Sequence, residues 1–255
     1  MSDQIFLIGR RAVVRTLRQP ANIVFPLVFP MLLLAVTSAG LEQETNLPGF
    51  PTDSFLAFAL AVPFIQGALF ATLNAGTDLA RDVQTGFLNR LSLTPIRGIA
   101  LLAGQLGGVV TMGVVQAIVY LTVGLIAGVE IASGPAGVLV LLAFSAFVAL
   151  AFGAVGAFAA LRSGSGEAVQ GMFPLFFVFL FISSAFVPRD LMGTGWFHDA
   201  ATVNPVSYLV ECVRSLIITG WDAEALALGF GIATAMAVVA LAFASNALRT
   251  RMARS

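Results

Sequence analysis

Few residues in this 255-residue chain have side chains suited to bond-making chemistry, and their scarcity is informative. All thirteen basic residues are arginine. Without lysine there can be no phosphate-binding loop of the Gly-x-x-x-x-Gly-Lys type and no Schiff-base chemistry. There is one histidine, His198, and one cysteine, Cys212. A His/Cys zinc cluster and an intrachain disulfide are therefore excluded, and His198 has no catalytic partner in view. No catalytic residue, metal ligand or cofactor-binding residue is expected in this chain. The polar side chains within the long apolar runs are uncharged: Gln66, Thr72, Asn74, Gln105, Gln116, Tyr120, Ser145 and Gln170. A proton- or ion-coupled carrier needs an ionisable group at mid-depth, and none stands there.

The elements that must position these residues are membrane helices. Hydrophobic residues make up 58% of the chain and charged residues 10%, too little charge for a water-facing surface. Cutting the sequence at its charges leaves six runs of 21 to 32 residues. About 20 apolar residues cross a bilayer, so the expected fold class is all-α and polytopic, a single transmembrane domain over residues 1–255. Six spans are placed at about 21–41, 55–77, 99–128, 135–161, 168–187 and 225–248. With the N-terminus inside, eleven of thirteen arginines fall on the cytoplasmic side and nine of thirteen acidic residues outside. That bias predicts both termini in the cytoplasm.

Residues 3–18 read as an interfacial helix, with Arg11, Arg15 and Arg18 opposite Phe6, Val13 and Leu17. The same arginines would also satisfy a plain positive-inside flank. Small residues at Ser38, Ala39 and Gly40 could suit a signal peptidase. The apolar run holding Pro26 and Pro30 is, however, longer than a usual signal core. Gly104 and Gly108, Gly124 and Gly128, and Gly153 and Gly156 permit close helix approach, chiefly within the chain. Buried amides usually bond between helices. Gln66 and Asn74, with the aromatic Phe173, Phe177 and Phe181 of the fifth span, are candidate cargo-path residues nonetheless.

Two loops remain. In the first, Leu79, Val83, Phe87 and Leu91 recur every fourth residue, predicting an amphipathic helix over 79–95 that Pro95 stops. It suits docking to a cytoplasmic partner, or lying on the membrane. The second, 188–222, carries Ser183-Ser-Ala-Phe-Val-Pro188 and Asn204-Pro205-Val-Ser-Tyr208, then Glu211 and Arg214. Its apolar stretch is too polar and short for another crossing. It predicts a re-entrant or interfacial helix in which Glu211 and Arg214 could pair.

Arg81-Asp82, Gly86, Phe87-Leu88, Arg90, Leu91 and Thr94-Pro95, followed by the Asn-Pro-x-Ser-Tyr element before the last span, resemble the permease subunits of type-two (ABC-2) ATP-binding-cassette exporters. Thr85 precedes the glycine here, where the family often has threonine after it. The resemblance covers essentially the whole chain and is nearest to the daunorubicin-exporter kind.

The resemblance implies a pair of six-span permeases, from one gene or a sister chain, served by two ATPase subunits that hold ATP and Mg. Leu79, Phe87, Leu88 and Leu91 would form the apolar ridge of the coupling helix. Arg81, Asp82 and Arg90 would form its charged rim, closed by Thr94 and Pro95. A hydrophobic drug, antibiotic or lipid is the implied cargo, with polysaccharide export the runner-up. A secondary carrier, a membrane enzyme and a structural membrane protein are the readings from other classes. Membrane lipids are expected neighbours and nucleic acid is not. Arginine in place of lysine, with abundant Ala, Gly and Val, points to a bacterial plasma membrane.

Overall fold

The computed structural model describes residues 21–87, 90 and 98–252, together with Gly9 and Val14. The expected interfacial helix at 3–18, apart from those two positions, lies outside the described residues. So do Leu88, Leu91, Thr94 and Pro95. The described residues contain helices and no strand.

The chain runs through α1 (Ala21–Leu41), α2 (Phe55–Ala59), α3 (Ala61–Gln84), α4 (Gly98–Ile126), α5 (Gly134–Ser163), α6 (Gly166–Gln170), α7 (Phe173–Phe181), α8 (Trp196–Val203), α9 (Pro205–Arg214) and α10 (Ala223–Met252). Five stretches are long and apolar enough to cross a membrane: Asn22–Asn46, Phe55–Gln84, Ala100–Ile126, Gly134–Ser163 and Ala223–Arg251. The protein is an all-α polytopic membrane protein.

The stretch formed by α2 and α3 is the hub. Of its most apolar window 83% is buried, against 17% for the first stretch and 22% for the last. Close approach by α5 makes this possible. A Cβ on Gly156 would lie 2.1 Å from the Thr72 carbonyl oxygen, so no other residue fits without moving a backbone. Beside it Thr72 donates to the Phe152 carbonyl at 2.9 Å. Gly124 likewise admits Leu60, and Gly153 admits Val109. These glycines serve packing within the chain.

Two prolines govern α1. Pro26 and Pro30 lie inside the helix and have no N–H, so the carbonyls of Asn22 and Pro26 lose their partners four residues on. In lipid such a carbonyl needs another donor. Asn74 donates to the Asn22 oxygen at 3.2 Å, and Tyr120 to the Pro26 oxygen at 2.6 Å. The proline pair thereby ties the first span to the second and third.

At one end of the bundle Gln84 donates to the Gly164 carbonyl and Arg251 to that of Leu161. At the other, Ala132 and Ser133 bond to Ile217 and Leu216, and Arg214 reaches Phe58. The C-terminal ends of α3, α5 and α10 thus share one end. Between α5 and α10 the chain returns through residues 166–187. Gly166 starts beside Thr77, and Ser184 finishes beside Arg214.

The single helix predicted at 168–187 is broken. Pro174 cannot donate to the Gln170 carbonyl, the chain turns at Gly171 and Met172, and helix resumes only for Phe173–Phe181. The whole apolar segment, Gly166–Phe181, would reach roughly 24 Å as straight helix, short of the roughly 30 Å core.

Candidate functional site

Three groups of residues carry the functional expectations, one at each end of the bundle and one between. At the end where α3, α5 and α10 finish, the second span continues to Gln84 before Thr85 and Gly86 turn the chain. Gly86 has φ +68, and the Thr85 N–H caps the Arg81 carbonyl at 2.9 Å. Residues 79–95 therefore do not form one helix. Leu79 and Asp82 belong to the last turns of the span and are 1% and 4% exposed. Leu79 packs with Leu101, Leu161, Val169 and Leu248, which makes it part of the bundle interior, not of an outward ridge. Asp82 likewise faces inward instead of forming a rim. Arg81 and Arg90 are exposed and Phe87 is half-buried. Arg90 donates through Nη2 to the Thr85 carbonyl at 3.2 Å, closing the turn around Gly86. The outward features here are thus Arg81, Thr85, Phe87 and Arg90.

Between the ends, the expected cargo-path residues separate. Asn74 is committed to α1 through Asn22, although it also borders a narrow cleft with Asp78, Gln105 and Gln116. Gln66 is 1% exposed, and neither of its amide atoms has a partner. Phe173, Phe177 and Phe181 join one aromatic ladder. Phe173 packs at a tilt against Phe177, 4.6 Å between centroids, and against Phe70 of α3 at 5.4 Å. Phe29 of α1 meets Phe70 and Phe177, and Phe181 meets Phe186 at 5.3 Å. Phe25 and Phe181 remain more than half exposed at its margins, giving a broad uncharged face between α1 and α7.

At the far end α9 is tucked against α10 and α3, with most of its residues buried. Asn204 caps it, accepting from the Val206 N–H at 2.9 Å, and Pro205 occupies the first turn, where its missing N–H costs nothing. The same Asn204 amide donates to Phe179 and Ile182, the open carbonyls at the end of α7. Tyr208 donates to the Thr202 carbonyl at 2.8 Å. Ser184 donates twice to Ser207, through its N–H to the hydroxyl at 3.1 Å and through its hydroxyl to the carbonyl at 3.3 Å, which binds the segment 166–187 to α9.

Arg214 is 7% exposed and faces three carbonyls: Nε to Phe58 at 3.2 Å, Nη1 to Ser184 and Nη2 to Ala185, each at 2.9 Å. Its guanidinium carbon lies 3.6 Å from the Phe58 ring centroid. Glu211 does not pair with it, contrary to the spacing argument. Instead Glu211 meets Arg189 at 2.5 Å, and Arg189 lies over the Tyr208 ring. Both residues border a polar cavity of about 250 Å³, but the Arg214 guanidinium is spent on the carbonyls of Phe58, Ser184 and Ala185, which leaves the Glu211 carboxylate to Arg189.

Burial pulls the Arg214 guanidinium below its ordinary value, with the Glu211 charge opposing. For Arg189 burial also acts downward, but the Glu211 carboxylate and Tyr208 turn the net shift upward. Burial pushes the Cys212 thiol up to about 12, so the one cysteine is an inert packing residue. Sequence reasoning missed Arg189 and the serine pair, because their partners lie 22 and 23 residues away. It also missed the role of Tyr120, although the Pro-x-x-x-Pro spacing in α1 was its signal.

A family model described as ABC-2 type transporter matches residues 3–218. The daunorubicin resistance ABC transporter permease protein DrrB1 of Streptomyces coeruleorubidus is 30% identical over 76% of this chain and 66% of its own length. This chain thus spans just under two thirds of that relative. The putative transport permease ycf38 of Cyanophora paradoxa is 23% identical over 84% of this chain and 74% of its own. The probable doxorubicin resistance ABC transporter permease protein DrrC of Mycobacterium tuberculosis is 23% identical over 85% of this chain and 78% of its own.

Proposed function

Because the chain belongs to the ABC-2 type transporter family, we propose that it is the permease half of an exporter, moving a hydrophobic or amphipathic drug, antibiotic or lipid out of the cytoplasm. The uncharged aromatic face formed by Phe29, Phe70, Phe173, Phe177 and Phe181 carries the cargo reading. It offers dispersion and ring contacts with no charge to coordinate an ion or relay a proton. The similarity to a daunorubicin resistance permease of Streptomyces and a probable doxorubicin resistance permease of Mycobacterium supports the same class of cargo.

ATP and Mg²⁺ are assigned to a separate ATPase subunit. A chain with no lysine cannot build the phosphate-binding loop whose lysine reaches the terminal phosphates. The ATPase docks at the turn around Gly86, where Arg81, Thr85, Phe87 and Arg90 face outward. Such a contact transmits force only if it differs between the open and closed ATPase pair. A second permease, identical or a sister chain, completes the path.

Residues 166–187 are assigned as a sixth crossing, since they join the two ends of the bundle despite their break. Both termini then lie in the cytoplasm of a bacterial plasma membrane, in agreement with the arginine bias. Cysteine labelling tests this arrangement, with buried Cys212 as a silent background. Ser163→Cys and Thr194→Cys, both exposed positions, are expected to react with an impermeant maleimide from opposite sides of the membrane. Labelling of both from the same side overturns the sixth crossing. Export is tested by reconstituting the permease with its ATPase in vesicles. Transport of a lipophilic anthracycline by the permease alone, or its absence from the complex, defeats the proposal.

A further inference from the structure

On the side of the bundle away from the phenylalanine ladder, an open groove of about 470 Å³ runs between α4, α5 and α10. Its walls are apolar: Leu102, Leu106, Gly107 and Val110 of α4, Leu150 of α5 and Leu241 of α10. None of these helices carries a ladder phenylalanine. The volume lies in the range that holds one small molecule. Val110 stands eight steps along the helix from Leu102, roughly 12 Å, close to the roughly 15 Å depth of one leaflet's hydrocarbon.

The groove also has a charged end. Ser245 lies at its α10 wall, and Arg249, one helical turn further on, is exposed at the end where α3, α5 and α10 finish. Among the described residues no carboxylate pairs with Arg249, whereas its neighbour Arg251 is committed to the Leu161 carbonyl. A cation one turn beyond a leaflet-deep apolar groove complements an amphiphile with an anionic head and a long chain. We infer that the groove between α4 and α10 is a binding site for an anionic phospholipid of the adjacent leaflet, one acyl chain lying along Gly107 and the phosphate on Arg249. The site is separate from the proposed cargo path, and its occupant is a resident lipid.

Gly107 provides a probe, because a Cβ there meets nothing within 4 Å and a side chain built on it starts in the open space of the groove. The full chain in detergent, incubated with equal amounts of phosphatidylglycerol and phosphatidylcholine of matched chains, is assayed for retained lipid by native mass spectrometry. The wild type is expected to retain phosphatidylglycerol about fivefold over phosphatidylcholine, the preference that one arginine near an anionic head supplies. Arg249→Gln removes that preference and leaves chain retention largely in place. Gly107→Phe lowers retention of both lipids, and Gly107→Leu does so less. Leu139→Ala, at a 70% exposed position outside the groove, changes neither. Equal retention of the two head groups by the wild type overturns the inference. So does a Gly107→Phe variant that holds as much lipid as the wild type, or a loss of the same size at Leu139→Ala.

Discussion

The two ends of the bundle are built to different standards. At the Arg214 end, α9, the segment 166–187 and the start of the second span are joined by one buried guanidinium, an Asn204 cap with two further donations, a serine pair and the Arg189–Glu211 bridge. At the Arg251 end Gln84 reaches Gly164 and Arg251 reaches Leu161, and Asp78, Asp82 and Phe87 have interactions of their own. The difference teaches where movement can enter. A segment with many buried, mutually dependent hydrogen bonds opens at high free energy, and one with few partly exposed bonds opens cheaply. The Arg214 end is therefore the one expected to be costly to open.

Breaking Arg214 is the strongest challenge to this contrast. Arg214→Ala leaves the carbonyls of Phe58, Ser184 and Ala185 without their donor in a buried site. Removing one partner of such a network costs about 3–5 kcal/mol. The expected outcome is a large fall in unfolding temperature and in the amount of protein recovered from membranes. Lysine restores little, because one ammonium cannot present the fork that meets three oxygens. A stable Arg214→Ala variant would show that this end is not the rigid one.

The second challenge acts on function. Phe87→Asp together with Leu91→Asp is expected to reduce ATPase co-purification and export at least tenfold, while thermal unfolding of the isolated permease changes little. Unchanged export would mean that the turn around Gly86 receives no force. Smaller effects refine the comparison. Glu211→Gln leaves Arg189 without its carboxylate in a partly exposed bridge and should cost about 1 kcal/mol, read as a modest drop in unfolding temperature that shrinks at high salt. Arg251→Ala, which removes one hydrogen bond to a carbonyl, should cost about 0.5–1.5 kcal/mol. A penalty at Arg251 equal to that at Arg214 would erase the distinction between the ends.

How much of this was legible beforehand varies by element. The five long spans follow from uncharged runs, and the apolar length needed to cross is a local quantity. The segment 168–187 was visible as apolar sequence, but its break at Pro174 depended on which carbonyl the proline would strand. The repeat that starts at Leu79 runs across a helix end at Thr85 and Gly86, and Leu91 lies outside the described residues. Leu79 and Asp82 therefore turn inward while Arg81 and Arg90 stay outside. For Glu211, spacing favoured Arg214 three residues away, and the structure chose Arg189 at a distance of 22.

By itself the sequence determined that the chain lives in a membrane, that its long apolar runs carry no charge, and that it has no lysine with which to build a Gly-x-x-x-x-Gly-Lys loop. Those conclusions need only residue types and run lengths. Tertiary structure alone decided which donor answers each stranded carbonyl: Tyr120 for Pro26, Asn74 for Asn22, Arg214 for Phe58, across separations of 94, 52 and 156 residues. In a lipid environment an unanswered carbonyl is costly wherever it stands, but the partner that removes the cost is fixed by which helices pack together.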